Sequence, residues 1–178
     1  MGLGRLHFER YRGFSLVEMS VVILITAILA VAAIPAFSAM SGARQASGAE
    51  EIERRIVNAR ARALAEGRPV GLRVDPVAQT LRTFTIASTG AVPTPAIDPL
   101  GQSESAFNFA AAFPGVQITA VSVNGSTGVQ TLWFAFDGTP QERSANGALV
   151  GAWTEGATVT VTGGISVFVV AGSGAVTR

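Results

Sequence analysis

The chain has no cysteine and no lysine, and its one histidine, His7, precedes a long apolar run. Without cysteine there are no disulfides, no thiolate nucleophile and no cysteine-ligated zinc. Without histidine beyond position 7, Ser–His–Asp and Cys–His catalysis and the usual zinc sites are excluded from the rest of the chain. Charged residues make up only 14% of the sequence, and all 13 basic residues are arginine. The acids of the second half, Asp75, Asp98, Glu104, Asp137, Glu142 and Glu155, fall mostly in expected turns or loops, where carboxylates cap or solvate. They assemble no catalytic constellation, so no enzyme is expected and no catalytic residue is assigned. Asp137-Gly138-Thr139 reads as a turn, and no D-x-[DN]-x-[DN]-G loop exists, so neither calcium nor any other metal or cofactor is expected.

What is present is a run of apolar residues. From Phe14 to Phe37 the single charge is Glu18, and the uncharged stretch then continues to Ala43. About 20 apolar residues in helical form span a bilayer core. Arg5, Arg10 and Arg12 precede the run with Glu9 as the only acid, which places the N-terminus on the cytoplasmic side of a single-pass membrane segment. A secretory signal peptide would share the basic start and could be cut at Ala30-Val31-Ala32, but it leaves Glu18 unexplained and its apolar region would be shorter. An uncleaved single-span anchor fits the length alone. An ionised carboxylate inside an apolar span is costly and calls for a partner.

The sequence Arg12-Gly13-Phe14-Ser15-Leu16-Val17-Glu18 resembles the class III signal of type IV pilins and pseudopilins. The resemblance implies that prepilin peptidase cuts after Gly13 and that Phe14 becomes the N-methylated first residue. Glu18, five residues after the cut, is then the assembly residue, and Pro35 falls where many pilins carry a helix-kinking proline. The physical counterpart is a glycine that lets a protease approach the backbone closely. Glu18 lies one turn from the new Phe14 amine, so it could meet that amine on a neighbouring subunit and set the stagger between the two. Removing residues 1–13 takes away three arginines and one glutamate and leaves 10 arginines against 11 acids. That near-neutral balance gives no general attraction to nucleic acid.

Beyond Pro35, which predicts a kink, Ser41 and Gly42 are expected to loosen the helix. A second, amphipathic helical stretch is predicted from about 43 to 66. Ala49, Ile52, Ile56, Ala59 and Ala63 form its apolar stripe, widened by Val57 and Leu64. Glu50–Arg54 and Glu51–Arg55 are expected i,i+4 pairs, and Gly67 and Pro69 should end the helix. Arginines 54, 55, 60 and 62 read as a solvated face balanced by glutamates rather than an anion site.

From Val70 the periodicity becomes two. Strands are predicted at 70–74, at 81–87 with Phe84 and Ile86 on one face, and at 116–123. A further strand is expected at 130–136, with Leu132, Phe134 and Phe136 in the core. The last three fall at 158–162, 165–170 and 175–177. Turns are expected at Asp75-Pro76, Asn124-Gly125, 137–140, Gly163-Gly164 as a two-residue hairpin, and 172–174. Residues 88–104, with Pro93, Pro95 and Pro99, and residues 141–147 read as exposed loops, the first of them mobile. The aromatic piece 107–113 lies between.

The helix-to-strand junction 59–75, the segment Phe134-Ala135-Phe136-Asp137-Gly138-Thr139-Pro140 and the close at 169–176 are similar to the GspH/FimT family. That similarity implies an α+β fold in which a long N-terminal helix, half in the membrane and half periplasmic, packs on a β head of two antiparallel sheets. The segments would be a leader (1–13), a membrane and filament-core helix (14–40), a periplasmic amphipathic helix (41–67) and the head (68–178). It also implies a minor pseudopilin of a type II secretion pseudopilus in the bacterial inner membrane, or alternatively a minor type IV pilin serving twitching or DNA uptake. The partners would be other pilins or pseudopilins in a hetero-oligomeric filament, the prepilin peptidase/methyltransferase and the inner-membrane assembly platform. Some members of the family bind DNA through a basic C-terminal segment. Here the tail has one arginine, Arg178, and Arg143 and Arg82 join it only if the fold brings them near. Phosphate binding needs several cations acting together, so nucleic acid is not the expected partner.

Overall fold

The computed structural model describes residues 14–87 and 91–178, and the side chains of residues 34–37 lie outside that description. Contacts divide the chain into two compact units at Met40/Ser41. One helix, α1 (Leu16–Glu66), runs through both. It continues past Pro35, Ser41 and Gly42 as a single element, with the amphipathic stretch expected from 43 as the second half of one long helix. The kink expected at Pro35 falls among the undescribed side chains.

In the second unit the periodicity of α1 is realised. Ala49, Ile52, Ile56, Ala59 and Ala63 are all buried, whereas Val57 and Leu64 are exposed and do not widen the stripe. At Gly48 the helix meets the head closely, since a Cβ there would lie 3.0 Å from the Phe109 ring. Gly67, with φ of +62°, ends the helix in the left-handed conformation that favours glycine.

The strands follow: β1 (Val70–Asp75), β2 (Thr80–Thr85), β3 (Thr94–Pro95) and β4 (Phe107–Asn108), then the short helix α2 (Phe109–Ala112). After it come β5 (Ile118–Val123), β6 (Ser126–Thr127), β7 (Gln130–Phe134), β8 (Pro140–Arg143) and β9 (Leu149–Ala152). The chain closes with β10 (Ala157–Val161), β11 (Ser166–Val169) and β12 (Val176–Thr177). They form two antiparallel sheets, one in the order β3-β2-β1-β7-β8-β9 with β4 also on β2, the other in the order β12-β11-β10-β5-β6. The architecture is α+β, as the sequence predicts. The α1 stripe packs in one core with Leu72, Val74, Leu81, Leu132 and Phe134 of the first sheet and Val121, Val159 and Val167 of the second.

Several expectations need correction. On β2 the inward face is Leu81, Thr83 and Thr85, and Ile86, just past the strand, is also buried. Phe84 lies on the other face, with the Arg82 guanidinium carbon 5.7 Å from its ring centre. β7 ends at Phe134, where Ala135 N donates to Thr139 O and the chain turns, leaving Phe136 exposed. In its place Trp133, on the opposite face of β7, is buried. Gly71 on the neighbouring β1 allows this, because a Cβ there would come 2.5 Å from the indole.

The described part of 88–104 is tied to the head. Ala96 is buried, its N–H donates to Thr83 O, and Glu104 N donates back to Ala96 O. Residues 140–143 form β8, with Gln141 buried, so only the turn after Arg143 remains of the second expected loop. The β10–β11 connection is a three-residue loop, 162–164, since Val161 N donates to Ile165 O.

Asn124-Gly125 forms the expected turn, here a two-residue hairpin with φ of +48° and +80°. Asn124 does more than turn. Its Oδ1 accepts from Thr154 N at 2.9 Å, Thr154 Oγ1 at 3.0 Å and Glu155 N at 2.9 Å, and its Nδ2 donates to Glu142 Oε2 at 2.7 Å. One side chain thus joins the β5–β6 turn, the β9–β10 connection and β8. Asn124→Ala is expected to destabilise the protein by about 2–3 kcal/mol through these lost bonds. Asn124→Gly, which relieves only the backbone strain, should recover about 1 kcal/mol of that. Urea titrations of the full chain in detergent would measure both.

Candidate functional site

The N-terminal end of α1 is built locally. Ser15 stands immediately before the helix, and its Oγ accepts from Glu18 N at 3.1 Å while its carbonyl accepts from Met19 N at 3.1 Å. Ser15-Leu16-Val17-Glu18 has the S-x-x-E spacing of a capping box, a signal already present in the sequence. It places Glu18 in the first helical turn, where the positive end of the helix dipole favours a carboxylate. Glu18 therefore has a local reason to be there besides any partner on another chain.

Every residue from Phe14 to Ala32 is exposed, so this apolar surface has no cover among the described residues. It is the one described helix long and apolar enough to cross a membrane. Ser20 Oγ donates to Val17 O at 2.7 Å, and Thr26 Oγ1 to Val22 O and Ile23 O, both at 2.9 Å. Hydroxyls returned to the helix's own carbonyls suit a hydrocarbon surround, where an unmade hydrogen bond costs several kcal/mol. Phe14 is at the exposed start of the segment, and Gly13 lies outside the described residues.

The arginines of α1 are engaged rather than simply solvated. Arg54 and Arg55 both pair with Glu51, so the expected Glu50–Arg54 pair is replaced by an i,i+3 pair. Arg55 also lies over Phe107, 3.8 Å from the ring centre. Arg62 joins Glu66 and Glu104, and Arg60 Nε donates to Gly138 O at 3.1 Å. These contacts run from the helix into the sheets, which helical spacing alone cannot reveal.

The three arginines considered for DNA are each held elsewhere. Arg178, after β12 of the second sheet, pairs with Glu53 of α1 at 2.8 Å. Arg82 Nε, on β2 of the first sheet, donates to Glu104 O at 3.3 Å. Arg143 Nη1, on β8, donates to Gly147 O at 2.6 Å. No contact joins Arg178 to the other two among the described residues. Nor does any group of three His, Cys, Asp or Glu side chains gather as a metal site among them.

Against known proteins, residues 10–34 match the family model described as the prokaryotic N-terminal methylation motif. No curated protein and no solved structure matches the chain. That motif, on a helix long and apolar enough to cross a membrane, supports a type IV pilin-like protein.

The end of α1 supplies a pH test of its local ion pairs. Partial burial pushes the Glu66 carboxyl up, but hydrogen bonds and charge from Arg62 and Arg68 outweigh it and hold the group below the ordinary glutamate range. The folded state therefore binds this proton less readily than the unfolded chain. The stabilisation is complete above the ordinary glutamate pKa and is lost as pH falls through the lowered folded value. The stability difference between wild type and Glu66→Gln should be larger at pH 7 than at pH 3 in paired urea titrations.

Proposed function

We propose that this chain is a minor pseudopilin of the GspH/FimT type, a structural subunit that initiates or tips a type II secretion pseudopilus. The observation that carries the reading is the methylation motif at residues 10–34, set on an exposed apolar helix with Glu18 in its first turn. In this reading the precursor inserts with its N-terminus inside, is cut after Gly13 and is methylated on Phe14. The apolar helix to Met40 packs in the filament, and the β head faces the periplasm and contacts other subunits. The junction from α1 into β1, the β7–β8 turn and the closing β11–β12 pair support the finer family assignment by their sequence similarity. The same N-terminus serves a minor type IV pilin, and the experiment has to separate the two.

Deletion of the gene is expected to abolish exoprotein secretion and leave twitching and transformation intact; the reverse pattern would assign the chain to a type IV pilus. Mass spectrometry of the mature protein should find Phe14 as a methylated first residue. Glu18 has two candidate roles, and glutamine divides them, because a capping box accepts Glu or Gln while only glutamate carries charge. If Glu18 pairs with a neighbour's Phe14 amine, Glu18→Gln should be processed normally but lower filament incorporation about tenfold, equivalent to roughly 1.4 kcal/mol. Normal incorporation of Glu18→Gln would reduce Glu18 to a helix cap.

A further inference from the structure

The first sheet is split along one seam. β7 stays paired with β1 along its whole length, from Phe134 down to Gln130. Its pairing with β8 is confined to Trp133↔Gln141 and Phe134↔Pro140. β8 in turn follows β9, with a register shift between Glu142 and Arg143 that leaves Val150 as an extra residue. A bulge bends the strand that carries it and increases the local twist. Here it accompanies the departure of the outer hairpin from β7, so the two strands fork beyond Trp133 and Gln141.

Ala135 N bonds across to Thr139 O, and hydrogen bonding along a strand alternates by two. The backbone groups of Thr131 and Arg143 accordingly face into the fork, where the ladder would have continued. A cavity of about 450 Å³ opens there, lined by Thr131 and Trp133 on one prong, Glu142 and Arg143 on the other, and Arg73 and Trp153 beside them. That volume lies within the range of ligand pockets.

The charge in the cavity is unbalanced. Arg73 stands directly opposite Arg82 in the β1–β2 register, an unfavourable like-charge pair. Arg82 is held by the Glu104 carbonyl, but Arg73 is exposed and has no ion pair or hydrogen bond among the described residues. Arg143 donates to the Gly147 carbonyl, and with the Gln141 amide oxygen turned towards it also to that oxygen at 2.7 and 3.1 Å; these acceptors are neutral. The one acid in the lining, Glu142, is bonded to Asn124.

We propose that this fork is a docking site for an extended peptide segment of a partner protein, inserted between β7 and β8 and carrying an acidic residue set between Arg73 and Arg143. Backbone groups in the plane of a sheet are satisfied by another strand, which gives affinity, while the two guanidiniums select the carboxylate. A single-stranded nucleic acid fits less well. Trp133 and Trp153 are only 4% exposed, so they offer no open ring faces for bases to stack on.

The test uses the full chain in detergent micelles, panned against phage-displayed random heptapeptides, with Arg73→Gln protein as the counter-selection. Arg73 is exposed and makes no bond among the described residues, so this variant should keep the wild-type circular dichroism spectrum and a urea midpoint no lower than that of wild type. Recovered peptides should be rich in Asp or Glu and in β-branched residues. By fluorescence anisotropy they should bind Arg73→Gln at least about tenfold more weakly. Methylating the backbone nitrogens of such a peptide should abolish binding. The proposal is overturned if no recovered peptide prefers wild type to Arg73→Gln, or if backbone methylation leaves binding unchanged. It is equally overturned if an oligo-dT probe binds in an Arg73-dependent way while no peptide does.

Discussion

The head depends on one stripe of one helix meeting two sheets at once. Ala49, Ile52, Ile56, Ala59 and Ala63 are the residues through which α1 enters the common core. Three of the five are alanines, which lets the helix axis lie close to the strands, and Gly48 extends that approach to the ring of Phe109. Each isoleucine contributes about 1.5–3 kcal/mol by leaving water. The ion pairs around the stripe are partly exposed and contribute at most about 1 kcal/mol each. With no cysteine in the chain, nothing covalent backs this packing up. Apolar burial holds helix and sheets together, while the arginines set direction. Arg60 illustrates the second role, because it reaches the carbonyl of Gly138 in the β7–β8 turn and also lies beside Gly174 in the β11–β12 turn. One helical side chain thereby touches a turn from each sheet.

What was legible in the sequence was what is local. The membrane-length run, the helical stripe and the Asn124-Gly125 hairpin depend on spacing within a few residues. The two faces of a strand are equally legible, but which face points inward is not. Leu81-Arg82-Thr83-Phe84-Thr85 shows why. Period two separates Phe84 from the threonines without saying which set points inward; the threonines do, because the register with β1 puts Leu72 and Val74 on their side. Trp133 is buried against the alternation because of a glycine some sixty residues earlier, a dependence that no window on β7 contains. Residues 88–104 read as a loop from their prolines, but the buried Ala96 and the bonds of Glu104 are made to distant strands.

The same division runs through the functional residues. The N-terminal methylation motif is recognisable because it is a linear signal, and the helix start within it is set by bonds inside Ser15–Met19. The cations are not recognisable in that way. Arg178, Arg82 and Arg143 are alike in sequence, and only the fold shows that the first is paired with a carboxylate, the second is occupied by a carbonyl, and the third is held by neutral acceptors. Arg73, unremarkable in the sequence, is the cation of this group left without a bond among the described residues.

Ser20 and Thr26 have a further consequence. In a bilayer, a hydroxyl without an acceptor draws helices together indiscriminately, since any neighbour's carbonyl will serve. By turning both hydroxyls back onto its own backbone, the apolar helix removes that indiscriminate adhesion. Such a helix can be held in the membrane as a dilute reserve of separate molecules. Any association of such a helix would then have to come from contacts other than these two hydroxyls.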